Sequence, residues 1–182
     1  MRLFVGLRPP PAIRDQLLDT MDGVPPARWQ DEEQLHVTLR FVGEIERPAA
    51  EDLAAALANV HAPAPAVALA GVGGFAHKGR TDTLWAALDP HDALAALHRK
   101  VDHACVGVGL PPERRAYLPH ITLARLPRSA GADPSIAGWI GRHAGLASAA
   151  FTLPHLILYR STLHADGAAY EALARWPLMR EG

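Results

Sequence analysis

The sequence predicts an α+β fold. Segments with helical periodicity alternate with short apolar segments of strand character, and several predicted strands are separated only by turns. This order is typical of an α+β fold with mixed or antiparallel sheets. The 182-residue chain is 49% hydrophobic, which favours one packed core and argues against global disorder. A short repeat half a chain apart predicts two facing lobes, so we expect residues 1–182 to form a single two-lobed domain.

The first elements are predicted over residues 1–45. RLFVGL at residues 2–7 has the composition of a short buried strand. A helix follows over residues 9–21, since proline is tolerated in a helix's first turn and Ile13, Leu17 and Leu18 recur on one side. An extended piece, ARWQ, then precedes the predicted strand EEQLHVTLRFVGEI at residues 32–45.

The middle of the chain, residues 47–106, is predicted to form a helix, a β-hairpin and a further helix. The alanine-rich residues 47–60 predict a second helix. Strands at residues 66–76 and 83–88 are joined by the polar turn HKGRTD, which predicts a hairpin. A third helix is predicted at residues 89–106, where apolar residues recur on one face.

The last third of the chain is predicted to be mainly strand. HITLARL at residues 120–126 follows a proline-containing loop, and a short helix is predicted near residues 133–143. Two further strands are predicted at residues 151–163 and 168–178. Alanine and glutamate in the last segment also permit a helix there.

Composition excludes several classes of protein. The formal net charge is -1, so we expect no broad basic face for double-stranded DNA. A single cysteine, Cys105, cannot form an intrachain disulfide, which fits a reducing compartment. The apolar runs are too short for a signal peptide or a membrane span. We therefore expect a cytoplasmic protein with no membrane partner, and a monomer by default.

Two short motifs carry the chemical signal. HVTL occurs at residues 36–39 and HITL at residues 120–123, so the two histidines are 120 − 36 = 84 residues apart. In a strand, residues i and i+2 share a face, so each motif presents an imidazole beside a hydroxyl. These four side chains are His36, Thr38, His120 and Thr122. Two such strands brought together would place two imidazoles and two hydroxyls around one cavity.

This set of groups suits phosphoester chemistry. A neutral histidine can accept a proton from a nucleophile and a charged one can donate a proton to a leaving oxygen, because the imidazole pKa lies near neutrality. Arg125 belongs to a basic stretch around the second motif and is a candidate phosphate ligand. It lies five residues after His120, so a bulge or the strand's end must turn it to the same face. Arg40 is a weaker candidate.

At these residues the sequence resembles the two-histidine (2H) phosphoesterase superfamily. More narrowly, it resembles the RNA 2′,3′-cyclic phosphodiesterases, also called the 2′-5′ RNA ligase or LigT-like family. The resemblance covers nearly the whole chain, through MRLFVGL, ARWQDEEQLHVTLRFVGEI, YLPHITLAR and LILYRSTLHADGAAYEALARWPL. It implies a bilobal fold of two mixed or antiparallel sheets with outer helices and pseudo-two-fold symmetry around a central cleft.

The resemblance also implies a reaction and its residues. Hydrolysis of RNA 2′,3′-cyclic phosphate ends, or of nucleotides that bear them, would give a 2′-phosphomonoester, and reverse 2′-5′ joining would use the same groups. By analogy His36 is the general acid and His120 the general base. Thr38, Thr122 and Arg125 would hold the phosphate. Aromatic residues could stack the terminal base, and the candidates are Phe4, Trp29 and Tyr159.

Other functions remain open from the sequence. The chain could be another 2H phosphodiesterase, acting on 2′-5′ oligoadenylate, cyclic-phosphate nucleotides or RNA 3′ ends. It could also be a non-enzymatic module that binds RNA ends, although binding alone would not need an acid and a base. The remaining histidines have no metal-ligand spacing, so we expect neither a catalytic metal nor another cofactor. Arg8 and the basic loop with His77, Lys78 and Arg80 leave substrate preference open.

Overall fold

A computed structural model describes residues 1–180, so positions 181 and 182 of the predicted domain lie outside the described residues. Within residues 1–180 there are four α-helices: α1 (Pro11–Leu18), α2 (Arg47–Leu57), α3 (Asp92–Gly107) and α4 (Pro134–His143). The strands are β1 (Arg2–Leu7), β2 (Arg28–Trp29), β3 (Val37–Glu44), β4 (Ala66–His77), β5 (Arg80–Asp89), β6 (His120–Arg125), β7 (Phe151–Thr152), β8 (His155–His164) and β9 (Gly167–Pro177).

The strands form one antiparallel path with two similar halves. The order is β7-β4-β5-β6-β3-β1-β8-β9, and β2 pairs with the β6 strand. The two halves join between β3 and β6, where one backbone pair, Val37 with Ile121, is registered. The predicted α+β fold is confirmed, and the two predicted sheets are the halves of this single path. The motif strands occupy its centre.

The main core lies on one face of this path. Aliphatic side chains of the motif strands are buried there, including Val37 and Ile121 at 0% exposure. The helix residues Leu53, Leu57 and Leu97 belong to the same cluster. Burial of these apolar side chains supplies the main stabilisation of the fold. A second, small cluster of Phe4, Ile157 and Tyr159 lies apart from this core, with Tyr170 packed against it.

Two predicted strands are shorter than the sequence suggested. The strand predicted at residues 32–45 starts at Val37, because Asp31 caps a 3-10 turn at Glu32–Gln34 and accepts the Gln34 backbone N–H. The strand predicted at 151–163 is divided between β7 and β8 at Leu153 and Pro154, since proline cannot donate to the ladder. The segment predicted at residues 168–178, for which the sequence also permitted a helix, is the strand β9.

No helix within residues 1–180 has the length and apolarity needed to cross a membrane.

Candidate active site

The two sequence motifs lie side by side at the centre of the sheet. Val37 and Ile121, the middle residues of the motifs, are an antiparallel pair. Continuing that register places each motif histidine opposite the threonine of the other motif. The valine and isoleucine point into the core, so the polar side chains project from the opposite face. We call this the motif face, and it carries His36, Thr38, His120 and Thr122.

Both motif histidines are oriented by the same local contact. The Nδ1 of His36 lies 2.7 Å from the Gln34 carbonyl oxygen, and the Nδ1 of His120 lies 2.7 Å from the Leu118 carbonyl oxygen. A carbonyl oxygen only accepts, so Nδ1 carries the proton in each ring. The Nε2 atoms are therefore left for chemistry. In His36 this atom lies 2.9 Å from the hydroxyl oxygen of Thr38.

A β-bulge turns Arg125 toward the motif face. Thr122 pairs with Trp85, whereas Arg125, three positions later, pairs with Thr83, only two positions away along β5. The β6 strand therefore holds one extra residue, at Leu123. Residues paired across a ladder project to the same side, so Arg125 shares a face with Thr122. Of the two possibilities that the spacing left open, a bulge or the strand's end, the structure has a bulge, and Arg125 is also the last residue of β6.

The other motif strand has a bulge at the equivalent position. Thr38 pairs with Gly6 and Arg40 with Val5, so Leu39 is the extra residue of β3. Here the arginine follows the bulge immediately. It therefore projects to the core side with Val5, away from Thr38, although even spacing on a regular strand would have kept the two together.

Arg40 is consequently a structural residue. It is 7% exposed, and its Nε donates to the Asp102 carboxylate at 2.8 Å. Its Nη2 donates to the Pro111 carbonyl, and the same carboxylate accepts the Glu113 backbone N–H at 3.0 Å. Burial would raise the Asp102 pKa, but the hydrogen bonds and charge of Arg40 hold it below its usual value. The pair ties β3 to α3 and to the loop that leads to β6.

The carbonyl groups at the first bulge are satisfied by side chains. His98 donates from Nδ1 to the Leu39 carbonyl at 2.7 Å, and the Tyr117 hydroxyl donates to the Thr38 carbonyl at 2.9 Å. The two rings stack with centroids 4.3 Å apart. Because these backbone oxygens would otherwise be unpaired where the ladder is interrupted, the contacts fix the shape of the strand after the motif.

An aromatic cluster surrounds His36. The Phe4 ring lies 4.8 Å from the imidazole and stacks on Tyr159 at 4.9 Å. Tyr170 meets the imidazole edge-on at 5.3 Å. Gly6 lies beneath, where a Cβ would approach the His36 ring to 3.5 Å and the Tyr159 ring to 3.6 Å. The cluster fixes the imidazole laterally and removes water from around it.

His120 has a smaller aromatic neighbourhood. Phe75 meets its ring edge-on at 4.9 Å, and Trp85 lies 6.2 Å away. A Cβ on Gly73 would come within 2.4 Å of the Trp85 ring, so glycine at this position makes room for the indole. Each motif histidine is thus braced by an aromatic edge contributed by a different half of the sheet.

The structure separates the three predicted stacking residues. Phe4 and Tyr159 are on the motif face but are only 3% and 7% exposed. Trp29 packs against the core residue Trp139 at 5.7 Å and pairs in the ladder with Ala124, whose side chain is buried. Trp29 is therefore not brought to the motif face, because β2 presents that side chain to the core.

Sequence reasoning missed four aromatic residues near the motif histidines. Three of them are the neighbours Tyr170, Phe75 and Trp85 described above. The fourth is Phe41, which is 51% exposed and whose ring lies 6.2 Å from that of Phe4. Strand alternation could have found Trp85 once its pairing with β6 was known, but that pairing is long-range and leaves no local signal in the sequence.

Both motif histidines favour the neutral form. Burial lowers the His36 pKa to about 4, against the hydrogen bond to the Gln34 carbonyl, and the charges of His120 and Arg125 lower it further. Burial and the Arg125 charge also lower the His120 pKa, against the bond to Leu118. The shared influence of Arg125 agrees with its position on the motif face.

Other basic residues around the second motif have different roles. Arg115 is exposed and lies 3.6 Å from the Glu113 carboxylate. Arg80 donates from Nη1 to the Arg128 carbonyl at 3.1 Å, which docks the β4–β5 hairpin against the segment after β6. These contacts place Arg115 and the backbone of Arg128 at the periphery of the site. Arg125 is the arginine of this basic stretch that lies on the motif face.

Comparisons with known proteins agree with this arrangement. A sequence model described as the 2′-5′ RNA ligase superfamily matches residues 9–165. An RNA 2′,3′-cyclic phosphodiesterase of Geobacillus stearothermophilus is 34% identical over 163 residues, which are 88% of this chain and 51% of that protein. The chain thus spans about half the length of that relative. A protein of the same name from Aeropyrum pernix is 27% identical over 88% of this chain and 90% of its own.

The fold is also found in solved structures. A protein of Thermus thermophilus superimposes with a TM-score of 0.82 at 24% identity, covering 100% of both chains. At this identity the likeness shows the fold alone, a mixed α+β arrangement built on an antiparallel sheet.

Proposed function

Since the chain belongs to the 2′-5′ RNA ligase superfamily, we propose that it hydrolyses RNA 2′,3′-cyclic phosphate ends to 2′-phosphomonoesters. The family indicated by the two motifs is confirmed. The relatives named RNA 2′,3′-cyclic phosphodiesterase support the reaction, and their substrate class indicates an RNA end or a nucleotide as the ligand. Reverse 2′-5′ joining would proceed through the same groups.

The observation that carries the proposal is the pair of equivalent imidazoles on one face. Each ring is held by an Nδ1–H bond to the carbonyl two residues earlier, so each presents Nε2 from the motif face. A simple binding site for a phosphate would use fixed cations. Two titratable rings that direct Nε2 to the same face, where His36 Nε2 has only the Thr38 hydroxyl as partner within residues 1–180, suit the removal of one proton and the delivery of another.

In the proposed reaction, a water oxygen forms a bond to phosphorus and the bond from phosphorus to the 3′ oxygen breaks. His120 Nε2 accepts the water proton, and His36 Nε2–H donates a proton to the departing 3′ oxygen. Both rings favour the neutral form in the empty site. A bound phosphate anion stabilises the imidazolium, so substrate binding itself charges the histidine that acts as acid.

Thr38, Thr122 and Arg125 are proposed to hold the non-bridging phosphate oxygens. Their positions on the motif face support this role, since the bulge at Leu123 places Arg125 on the same face as the two threonines. A guanidinium offers charge-assisted hydrogen bonds in a fixed plane, which suits a phosphate whose negative charge grows during hydrolysis.

The wider setting is also a proposal. We propose that residues 1–182 form one two-lobed phosphoesterase domain that acts as a monomer in the cytoplasm, without a metal or another cofactor. The buried free thiol of Cys105 supports a reducing compartment. Phe4 and Tyr159 are proposed to contribute to base recognition mainly by supporting the surface beside His36, because their own rings are largely covered.

The reaction can be tested with adenosine 2′,3′-cyclic phosphate and a short RNA ending in this group, both with EDTA present. The expected product is the 2′-phosphate, resolved from the 3′ isomer by chromatography. His36→Ala and His120→Ala should each lower the rate of product formation by about 10²–10⁴. His164→Ala, on the exposed end of β8, controls for loss of an imidazole. A 3′-phosphate product, or loss of turnover with EDTA, would contradict the proposal.

A further inference from the structure

A cationic cavity lies beside the motif face. Its volume is about 650 Å³, and it is enclosed by residues from the end of β1, α1, β7, β8 and β9. Neither motif histidine lines it. Its charged and titratable lining groups are Arg8, Arg14, Arg175 and His155, and Ile157 is one of its apolar lining residues. Nothing in the proposed hydrolysis uses this cavity.

The cavity begins where the aromatic cluster around His36 ends. Ile157 pairs with Gly6, directly under the His36 ring, and Tyr159 is the next residue of β8 on the same side. Arg8 follows Gly6 by two residues and comes directly after the end of β1, so their Cα atoms are at most roughly 7 Å apart. A nucleotide whose cyclic phosphate is at His36 can therefore reach the cavity with its next phosphate along the chain.

The three arginines also act together electrostatically near this boundary. Burial raises the Tyr159 pKa, while the charges of Arg8, Arg175 and Arg14 oppose that rise and the charge of Glu33 adds to it. The three guanidinium groups therefore lie close enough to the Tyr159 hydroxyl to influence its ionisation. An anion entering the cavity would experience the same positive charges.

The arginines differ in how far they are already engaged. Arg8 lies 3.1 Å from the Glu33 carboxylate, and Arg14 lies 3.2 Å from that of Glu32. Arg175 is exposed at the rim, and among residues 1–180 it has no carboxylate partner. Arg8 also retains a shielded Nε–H without an acceptor in the described chain. Within the described part of the chain, the cavity thus combines Arg175, which has no ion pair, with two arginines whose orientation is fixed by ion pairs.

We propose that this cavity binds the phosphate on the 5′ oxygen of the terminal nucleotide, so that the protein selects substrates bearing that phosphate over a bare nucleoside 2′,3′-cyclic phosphate. The inference rests on the proposed function, because the cyclic phosphate must occupy the motif face. Arg175 supplies the principal contact and Arg8 the second. The ligand is a phosphate held by arginine, whether it is an internal RNA linkage or a terminal monoester.

The test compares kcat/KM for three substrates: adenosine 2′,3′-cyclic phosphate, its 5′-phosphorylated form, and the dinucleotide ApA with a 2′,3′-cyclic end. The parent should favour both substrates with a 5′-linked phosphate. Arg175→Gln should lower the ratio of phosphorylated to unphosphorylated kcat/KM about tenfold, as expected for one charge-assisted bond. Glu33→Gln should raise the ratio, since the carboxylate competes for Arg8.

The matched control is Arg99→Gln, which removes one exposed positive charge from α3 without touching the cavity. Its ratio should equal that of the parent. A preference for the dinucleotide alone would overturn the inference, because it would indicate contact with the second base. Equal ratios in the parent, Arg175→Gln and Arg99→Gln would also overturn it.

Binding in a His120→Ala background separates this inference from the proposed function. Dissociation constants of the same three ligands are measured there by calorimetry, with and without Arg175→Gln. If the parent hydrolyses none of the substrates, the proposed function fails. The subsite is then supported if the 5′ phosphate tightens binding and Arg175→Gln removes the gain, and it is overturned if the constants are equal.

Discussion

The two motif strands are alike up to the bulge and differ directly after it. In β3 the bulged Leu39 is followed by Arg40, which turns inward to Asp102. In β6 the bulged Leu123 is followed by one alanine before the arginine, which turns outward to the motif face. A single inserted residue therefore decides whether an arginine supports the fold or faces the substrate. The duplicated part carries the two imidazoles to which we assign the proton transfers, and the divergent part makes the motif face asymmetric.

The surroundings of the two imidazoles are also asymmetric between the two halves. His36 is enclosed by Phe4, Tyr159 and Tyr170, whereas His120 has Phe75 and Trp85 as neighbours. Burial is the main reason why each pKa is lowered. Equivalent positions in the repeat therefore have unequal environments, as a reaction with one acid and one base requires.

The largest expected effect comes from removing either imidazole. We expect His36→Ala and His120→Ala each to lower kcat/KM by about 10²–10⁴, because each removes one proton-transfer step. Initial rates on an RNA 2′,3′-cyclic phosphate measure this, and circular dichroism verifies folding. A large loss in one variant with near-parental activity in the other would show that the two halves are not functional partners.

Exchanging each arginine for glutamine tests the bulge comparison. Arg125→Gln should lower kcat/KM about 10²-fold, since it removes a donor to the developing phosphate charge. Its free energy of unfolding should stay within about 0.5 kcal/mol of the parent, as is usual for an exposed side chain. Arg40→Gln should instead cost about 3 kcal/mol of stability, because it leaves the carboxylate of Asp102 without its partner.

Urea unfolding and steady-state kinetics on both arginine variants decide the point. Arg125→Gln should lose kcat/KM and keep its stability, whereas Arg40→Gln should lose stability. Similar stability losses in both, or a catalytic loss confined to Arg40→Gln, would contradict the assignment of one arginine to the fold and the other to the site.

Burial of His36 should make the fold sensitive to acid. Its pKa is lowered from 6.5 to about 4 in the folded chain, so below pH 6.5 the unfolded chain takes up a proton that the folded chain does not. The folded state therefore keeps its full stability above pH 6.5 and loses stability as the pH falls from 6.5 to about 4. His36→Asn should remove about 2–3 kcal/mol of this pH dependence.

Urea unfolding of parent and variant from pH 7 to pH 4 measures the effect. His164→Asn serves as the control for losing an imidazole at an exposed site. Stability curves for the parent and His36→Asn that run parallel over this range would show that His36 is not buried in the neutral form.

The smallest effect expected is a change in the pH optimum. With both pKa values lowered, kcat/KM should be bell-shaped, with its maximum on the acid side of pH 6.5. The Arg125 charge contributes to both lowered pKa values, so Arg125→Gln should move the maximum toward higher pH. Arg128→Gln, with the same charge change three residues away, should not. A maximum that stays in place in Arg125→Gln would separate this guanidinium from the imidazoles.

The sequence was sufficient for what depends on local pattern. The period-two alternation in HVTL and HITL predicted that imidazole and hydroxyl share a face. The odd spacing of Arg125 predicted either a bulge or the strand's end at this position, and the structure has a bulge. The inward turn of Arg40 depends on the bulge at Leu39, which only the pairing with β1 reveals. Likewise, Trp29 was expected near the substrate because its ring is aromatic. Its pairing with Ala124 directs it to the core.

The joint action of the two motif histidines is the central claim, and a double-mutant cycle tests it most directly. The kcat/KM values of the parent, His36→Ala, His120→Ala and the double variant are compared on one RNA 2′,3′-cyclic phosphate. If both imidazoles serve the same step, the double variant should be within a few-fold of the more impaired single variant, since residues that act as a unit are non-additive. Losses that multiply would mean that the two halves act independently, and would contradict this account.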